Sequence, residues 1–271
     1  MRGQRFRDRT EAGQLLASRL AAYAKRPDVL VLALPRGGVP VAYAVARALQ
    51  APLDVIIVRK LGVPGQEELA MGAIASGGGC VLNEDVVRSL GIPEEAIHKG
   101  AARAQHEVER RERLYRGNRP ACEVHGRPII LVDDGMATGA TMRAAIAAVR
   151  QRQPARVIIA VAVAASATCE ELAAEVDEVV CILRPESLYA VGLWYEHFSQ
   201  LTDQEVADLL EQATHEGGLT TPQTQPRTSG AESLKQGTRV TPPARDRNRR
   251  SGQSSHLSRD AEQHRQRFPP T

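Results

Sequence analysis

Residues 129–141 read IILVDDGMATGAT, and this stretch decides how the rest of the chain is interpreted. Four apolar residues, as in a buried strand, lead directly into two adjacent carboxylates, Asp133 and Asp134. Residues 135–141 follow, with small residues at six positions and Met136 as the exception. A purely structural turn would leave the adjacent acids unexplained. The stretch therefore predicts a ligand site where a buried strand ends.

Apolar runs of strand length alternate with segments of helical periodicity along the body of the chain. The predicted strands are 29–34, 53–58, 128–133, 156–163 and 178–183, and the predicted helices are 8–26, 39–50, 84–90, 93–116, 140–153, 167–175 and 203–212. This alternation is typical of a parallel sheet with helices on both faces. We therefore predict an α/β fold whose ligands bind at the carboxyl ends of the strands.

The last part of the chain differs in composition from the body. Residues 217–271 contain ten Lys and Arg against four Asp and Glu, with few large apolar side chains among many Pro, Gly, Ser and Thr. Such a segment cannot bury enough surface to offset its chain entropy. We predict one domain over 1–216 and a disordered basic tail over 217–271. The tail lacks interleaved aromatic residues, so nucleic-acid binding is not expected of it.

Other bulk features limit the class of protein. No apolar run approaches the roughly 18 residues of a membrane span, and the basic, polar start is unlike a secretory signal. The four cysteines show no metal-ligand spacing, as expected for reduced structural thiols. We expect a cytoplasmic protein without a membrane partner.

The loop after the predicted strand 128–133 has the composition of an anion site. Small residues let backbone N–H groups approach a ligand closely, and Thr138 and Thr141 add hydroxyl donors. The loop opens a helix, whose N-terminus favours a phosphate. The carboxylates Asp133 and Asp134 would repel that phosphate, so they must face another part of the ligand. Sugar hydroxyls and the shell of a magnesium ion are the natural partners.

The order of apolar strand, Asp-Asp and Gly-x-x-Thr-Gly-x-Thr resembles the phosphoribosyl pyrophosphate (PRPP) signature of type I phosphoribosyltransferases. The layout of residues 5–213 resembles a bacterial group of these enzymes whose substrate is unsettled. The resemblance implies a parallel-sheet phosphoribosyltransferase core with a flexible loop and a small C-terminal hood. It also implies that Asp133 and Asp134 hold the ribose hydroxyls. The 5′-phosphate would lie in the loop formed by Ala137, Thr138, Gly139, Ala140 and Thr141.

The segment 35–38, Pro-Arg-Gly-Gly, resembles the pyrophosphate loop of the same family. In this reading Arg36 supplies charge, Gly37 and Gly38 admit the diphosphate, and the resemblance implies a cis peptide bond between Pro35 and Arg36. A tight turn at a strand end is the alternative.

Two further cations, Arg59 and Lys60, close the second predicted strand. The resemblance implies that a basic residue here reaches the diphosphate, whereas a solvated surface pair is the alternative. The glycine-rich segment 66–79 reads as an irregular, mobile excursion with a short hairpin, and it has the composition of a lid over the site.

Four of the nine aromatic residues fall between 189 and 198. Among them, Tyr189, Trp194 and Tyr195 are candidates for a hood that stacks on a planar acceptor. The alternative is a small satellite core under a C-terminal loop.

The resemblance implies a glycosyltransferase that binds PRPP with Mg²⁺ and transfers the phosphoribosyl group to a nitrogenous acceptor, with a nucleobase as the expected acceptor. The Mg²⁺ would be held through PRPP and water, with Asp133 and Asp134 as its candidate carboxylates. A non-catalytic PRPP-binding or nucleotide-binding regulator on the same fold is the alternative. The family resemblance also allows a homo-oligomer.

Overall fold

A computed structural model describes residues 5–77 and 79–216, so the tail predicted over 217–271 lies outside the described residues. The strands are β1 (Leu30–Ala33), β2 (Leu53–Val55), β3 (Val58–Val63), β4 (Gln66–Ala75), β5 (Gly79–Leu82), β6 (Pro128–Asp133), β7 (Arg156–Val163) and β8 (Glu178–Leu183). The helices are α1 (Arg9–Arg19), α2 (Gly38–Leu49), α3 (Glu84–Ser89), α4 (Glu94–Arg116), α5 (Ala140–Gln151), α6 (Ser166–Ala173) and α7 (Asp203–Glu216). Two short 3₁₀ helices cover Ala21–Tyr23 and Val191–Trp194.

Five strands form one parallel sheet in the order β2-β1-β6-β7-β8, which confirms the predicted α/β class. Successive residues of β1 point to opposite faces of this sheet. Val31 and Ala33 join the apolar cluster that includes residues of α1, α2 and α7, whereas Leu30 and Leu32 join the cluster that includes residues of α5 and α6. Helices therefore cover both faces, and the continuous apolar runs of the sequence follow from that double burial.

Polar side chains cap the starts of two helices. The side chain of Asn83 accepts a hydrogen bond from the backbone of Val86 and caps α3, and Asp8 caps α1 through the backbone of Glu11. Helix α4 begins directly after Pro93. The predicted helix 8–26 is shorter than expected, because α1 ends at Arg19 and the chain continues in a 3₁₀ turn.

The glycine-rich segment 66–79 is not irregular, so that part of the prediction is wrong, although the expected hairpin is present. Strands β3, β4 and β5 form a second, antiparallel sheet, in which Leu61, Met71 and Ile74 are buried. Glycine marks close backbone approach here, because a Cβ at Gly72 would collide with the carbonyl oxygen of Val81. The predicted strand 53–58 accordingly ends at Val55, before the chain enters this sheet.

No helix within 5–77 and 79–216 is long and apolar enough to cross a membrane.

Candidate functional site

The candidate site lies where the direction of chain progression across the parallel sheet reverses. Strands β1 and β6 are neighbours, and the chain continues from β1 to β2 on one side and from β6 to β7 on the other. A crevice opens at such a switch point, outside the carboxyl ends of the two strands. The segments 35–38 and 133–141, which the sequence predicted as ligand loops, follow these two strands.

The two loops touch each other through glycine positions. A Cβ built on Gly37 would collide with Oδ2 of Asp134, and one built on Gly38 would lie 2.7 Å from the carbonyl oxygen of Val132. No other residue type fits at either position without displacing β6 or its carboxylates. The peptide bond between Pro35 and Arg36 is cis, as predicted.

The two adjacent carboxylates at the end of β6 have different environments. Oδ1 of Asp133 accepts a hydrogen bond of 2.8 Å from the backbone N–H of Asp134. Burial, together with the neighbouring carboxylate of Asp134, raises the pKa of Asp133 well above its ordinary value. Asp134 is itself buried, with its side chain 12% exposed, and it is ion-paired.

The partner of Asp134 is Arg9, the first residue of α1, which the sequence reasoning missed. Nε of Arg9 donates to Oδ2 of Asp134 at 2.8 Å, and Nη1 donates to the carbonyl oxygen of Ser199 at 2.9 Å. The guanidinium carbon lies 3.8 Å from the centroid of the Phe198 ring. No local pattern marks Arg9, because its partners lie 125 and 190 positions away along the chain.

Two residues shape the small-residue loop before α5: the large Met136, and Gly139, whose backbone has a left-handed conformation. Met136 is buried and its N–H donates to the carbonyl oxygen of Val163 at 2.8 Å, which anchors the loop to the end of β7. Gly139 has φ +71°, a conformation that favours glycine, and it immediately precedes α5. Gly139 has no side chain to cap this helix, and within the described chain the hydroxyl of Thr138 accepts only the N–H of Ala140, at 3.5 Å. The next N–H groups of the first turn can therefore bind an anion.

Neighbouring side chains hold two carbonyl groups of this loop. The hydroxyl of Thr168 donates to the carbonyl oxygen of Ala137 at 2.9 Å, and Nη1 of Arg143 donates to that of Thr138 at 3.0 Å. Arg143 is in turn paired with Glu171 and Glu175. Because these carbonyl groups already have donors, the loop offers its N–H groups rather than its oxygens to a ligand.

A cleft of about 370 Å³ lies between the two loops and the hood segment, residues 189–201. Its lining includes both cations of the site and Asp134, and the full set is Arg9, Arg36, Gly37, Asp134, Phe198, Ser199, Gln200 and Leu201. No group of three or more His, Cys, Asp or Glu side chains that could hold a metal occurs among the described residues. A Mg²⁺ ion that arrives on a diphosphate and retains water needs only one or two carboxylates, which Asp133 and Asp134 can supply.

The predicted cations Arg59 and Lys60 are exposed on β3 and lie elsewhere. They line a separate groove of about 470 Å³ between the β3–β4 hairpin and α4, together with Lys99 and Arg103. The structure therefore brings Arg36 to the carboxylates but does not bring Arg59 and Lys60 into the same cleft.

The three predicted hood residues differ in their surroundings. Tyr189 is 91% exposed, and Trp194 is half-buried in a 3₁₀ turn. Tyr195 is buried, with ring centroids 5.2 Å from Phe6 and 4.9 Å from Phe198, and its hydroxyl donates to the carbonyl oxygen of Asp134 at 2.6 Å. For Tyr195 this arrangement fits the alternative of a satellite core. The hydroxyl of Tyr195 holds the backbone of Asp134 in place.

Comparison with known proteins decides the family. The family model described as "Phosphoribosyl transferase domain" matches residues 9–193, which is more than half of the chain. The chain belongs to the phosphoribosyl transferase family. This membership confirms the resemblance carried by IILVDDGMATGAT.

Similar chains are known from two bacterial species. The chain is 45% identical over 208 residues to "Putative phosphoribosyl transferase Rv0571c" of Mycobacterium tuberculosis and equally to its counterpart MT0597 from another strain. The alignment covers 77% of this chain and 47% of each relative, so the chain spans about half the length of the curated relatives it matches. The crystal structure of TT1426 from Thermus thermophilus is 44% identical with a TM-score of 0.68, covering 77% of this chain and 98% of that one.

Proposed function

We propose that this phosphoribosyl transferase domain binds PRPP together with Mg²⁺ and transfers the phosphoribosyl group to a nitrogenous acceptor, with release of pyrophosphate. The observation that carries the proposal is the contact between the two predicted loops. Gly37 lies directly against the carboxylate of Asp134, so one cleft offers this carboxylate for a ribose hydroxyl beside a glycine loop for a diphosphate.

Each part of PRPP has chemically suited residues. Asp133 and Asp134 accept hydrogen bonds from the 2′ and 3′ hydroxyls of ribose. The N–H groups of residues 137–141 and the N-terminus of α5 bind the 5′-phosphate. Hydrogen bonds from Thr168 and Arg143 to carbonyl groups of this loop hold it in place. Arg36, Gly37 and Gly38 receive the diphosphate. Arg59 and Lys60 are proposed as further cations for it, which requires movement of the β3–β4 hairpin towards the cleft.

The reaction at C1′ requires no covalent intermediate between the protein and the substrate. The C1′–oxygen bond to pyrophosphate breaks as the acceptor nitrogen forms its bond to C1′, through an oxocarbenium-like transition state. The carboxylates at the end of β6 stabilise the positive charge that develops on the ribose, and Arg36 with backbone N–H groups stabilises the leaving pyrophosphate. Bound Mg²⁺ neutralises diphosphate charge. The domain contributes mainly the alignment of C1′ with the acceptor.

The acceptor is proposed to be a planar nitrogenous compound such as a nucleobase. Tyr189 and Trp194 are the hood residues whose rings remain at least partly accessible, whereas Tyr195 is buried. Tyr189 and Trp194 are therefore the better candidates for stacking on a planar acceptor.

The test is an assay of pyrophosphate release from PRPP and Mg²⁺ against a panel of nucleobases and small amines. The double variant Asp133→Asn, Asp134→Asn is expected to lose PRPP binding by calorimetry and turnover together, because the ribose hydroxyls lose their anionic acceptors. Normal PRPP binding by the double variant would contradict the assignment of the site. Tight PRPP binding by the wild type without release for any acceptor would instead favour the regulator.

A further inference from the structure

The side chain of Arg9 joins three parts of the cleft in a single guanidinium group. It ion-pairs with Asp134, donates to the backbone of Ser199 and lies over the ring of Phe198. The side chain is only 11% exposed, and that of Asp134 is 12% exposed. A charge-assisted hydrogen bond in such a place is stronger than one on the surface, because water does not compete for either partner.

Local helix stability does not account for an arginine at this position. Arg9 begins α1, where the positive end of the helix dipole disfavours a cation. The neighbouring Asp8 and Glu11 already satisfy the electrostatics of that helix start. The reason for the arginine therefore lies in its distant partners.

Arg9 restrains Asp134 without consuming its capacity to bind. Nε of Arg9 occupies Oδ2 of Asp134, whereas Oδ1 has no hydrogen-bond partner within the described part of the chain. Gly37 also lies against this carboxylate, where a Cβ would collide with Oδ2 and come within 2.9 Å of Oδ1. The carboxylate is thus restrained by Arg9 through Oδ2, while Oδ1 is left for a ligand hydroxyl.

From this geometry we infer that Arg9 is a positioning residue for PRPP recognition. Its guanidinium group holds Asp134 in the orientation that accepts a ribose hydroxyl, and through Ser199 and Phe198 it fixes the hood segment to the same carboxylate. The inference rests on the proposed function, since it assumes that Asp134 contacts ribose.

The variant Arg9→Ala tests this role through affinity for PRPP in the presence of Mg²⁺, measured by calorimetry. We expect affinity to fall about tenfold or more, the usual effect of losing a charged hydrogen-bond partner. Low, non-denaturing concentrations of guanidinium chloride are expected to restore much of it, whereas equal sodium chloride is not. Arg7→Gln serves as the matched control, because Arg7 is exposed and, among the residues that the structure describes, its side chain pairs only with Asp8.

The possible outcomes distinguish a failure of the role of Arg9 from a failure of the proposed PRPP-binding function. If wild-type protein binds no PRPP, the proposed function fails. If wild-type protein binds PRPP and Arg9→Ala binds it equally well, or a folded Arg9→Ala loses affinity that guanidinium does not restore, the role of Arg9 is overturned. Should Arg9→Ala not fold, Arg9→Lys takes its place, since lysine keeps the charge but cannot bridge Asp134 and Ser199. Unchanged PRPP affinity of Arg9→Lys would also overturn the role.

Discussion

The carboxylate of Asp133 is held in the folded chain at a cost in free energy, because it is half-buried beside the carboxylate of Asp134. Its pKa is raised above the ordinary value of 3.8, so the folded state binds a proton more tightly than the unfolded state. This group therefore lowers stability as the pH rises from about 4 through the raised pKa of the folded state.

Asp133→Asn is expected to raise the melting temperature at pH 7 in the absence of PRPP and Mg²⁺. The amide oxygen can still accept the hydrogen bond from the backbone of Asp134, while the half-buried charge is removed. Each kcal/mol gained corresponds to about 2–4 °C for a domain of this size. The gain should shrink towards pH 4, where the wild-type carboxyl is also protonated.

Asp134→Asn is the matched comparison and is expected to lower the melting temperature, because it leaves the buried guanidinium of Arg9 without its anion. Thermal unfolding followed by circular dichroism at pH 4 and pH 7 measures both variants. A melting temperature of Asp133→Asn at or below that of the wild type at pH 7 would contradict the account of Asp133.

Sequence reasoning pointed to those residues of the candidate site that belong to continuous motifs. Asp133, Asp134, Arg36 and Gly37 lie at or shortly after the ends of β6 and β1, and parallel topology brings these strand ends together. Arg9 could not be found in this way, because a long-range ion pair leaves no periodic trace in a single sequence. The orientation of Tyr195 could not be predicted either, since the sequence does not distinguish an aromatic side chain that stacks on a ligand from one that packs in a core.

At the scale of the element, helix α4 is tied to the edge of the parallel sheet by a buried ion pair. Nε of Arg116 donates to Oδ1 of Asp54 on β2 at 2.7 Å, Nη2 donates to the carbonyl oxygen of Val55, and both charged side chains are 8% exposed. Asp54 also accepts the backbone N–H of Cys122, after α4. The pair thus fixes both the end of α4 and the chain that leads to β6.

Arg116→Met is expected to destabilise the domain by about 3–5 kcal/mol, because it leaves the buried carboxylate of Asp54 without a counter-charge. Arg113→Met is the matched control on the same helix: Arg113 is exposed, so a change within about 0.5 kcal/mol is expected. Urea unfolding at pH 7 measures both. Equal free energies of unfolding for the two variants would show that the Arg116–Asp54 pair adds nothing to the attachment of α4.

The strands were predictable where both faces of the sheet are covered by helices. All five predicted strands of the parallel sheet exist. The burial is most complete in β1, β6 and β7, the three central strands, whose apolar runs are unbroken because both faces are covered. The second sheet was not recognised as regular, because the glycines of β3 and β4 suggested a loop. In the folded chain those glycines allow close backbone approach, and this depends on partners that the local sequence does not specify.

For the whole molecule, the boundary predicted after residue 216 stays a prediction that can be tested. A variant that ends at Glu216 is expected to unfold at the wild-type temperature and to gain the same stability from PRPP with Mg²⁺. That gain is about 2.7 kcal/mol when the ligand is at 100 times its Kd. Differential scanning calorimetry of both proteins, with and without ligand, measures it. A lower melting temperature or a lost ligand effect would show that the segment after 216 belongs to the domain.

The pairing of the N-terminal segment with the hood has a consequence for synthesis on the ribosome. The backbone of Phe6 exchanges hydrogen bonds with those of Trp194 and Glu196, and Arg9 bonds to the carbonyl oxygen of Ser199. Residues 6 and 9 therefore leave the exit tunnel before their partners, which are translated nearly two hundred codons later. A nascent chain can assemble β1 and β6 before that moment, but its cleft gains the contacts between Arg9 and the hood only when the whole domain has emerged.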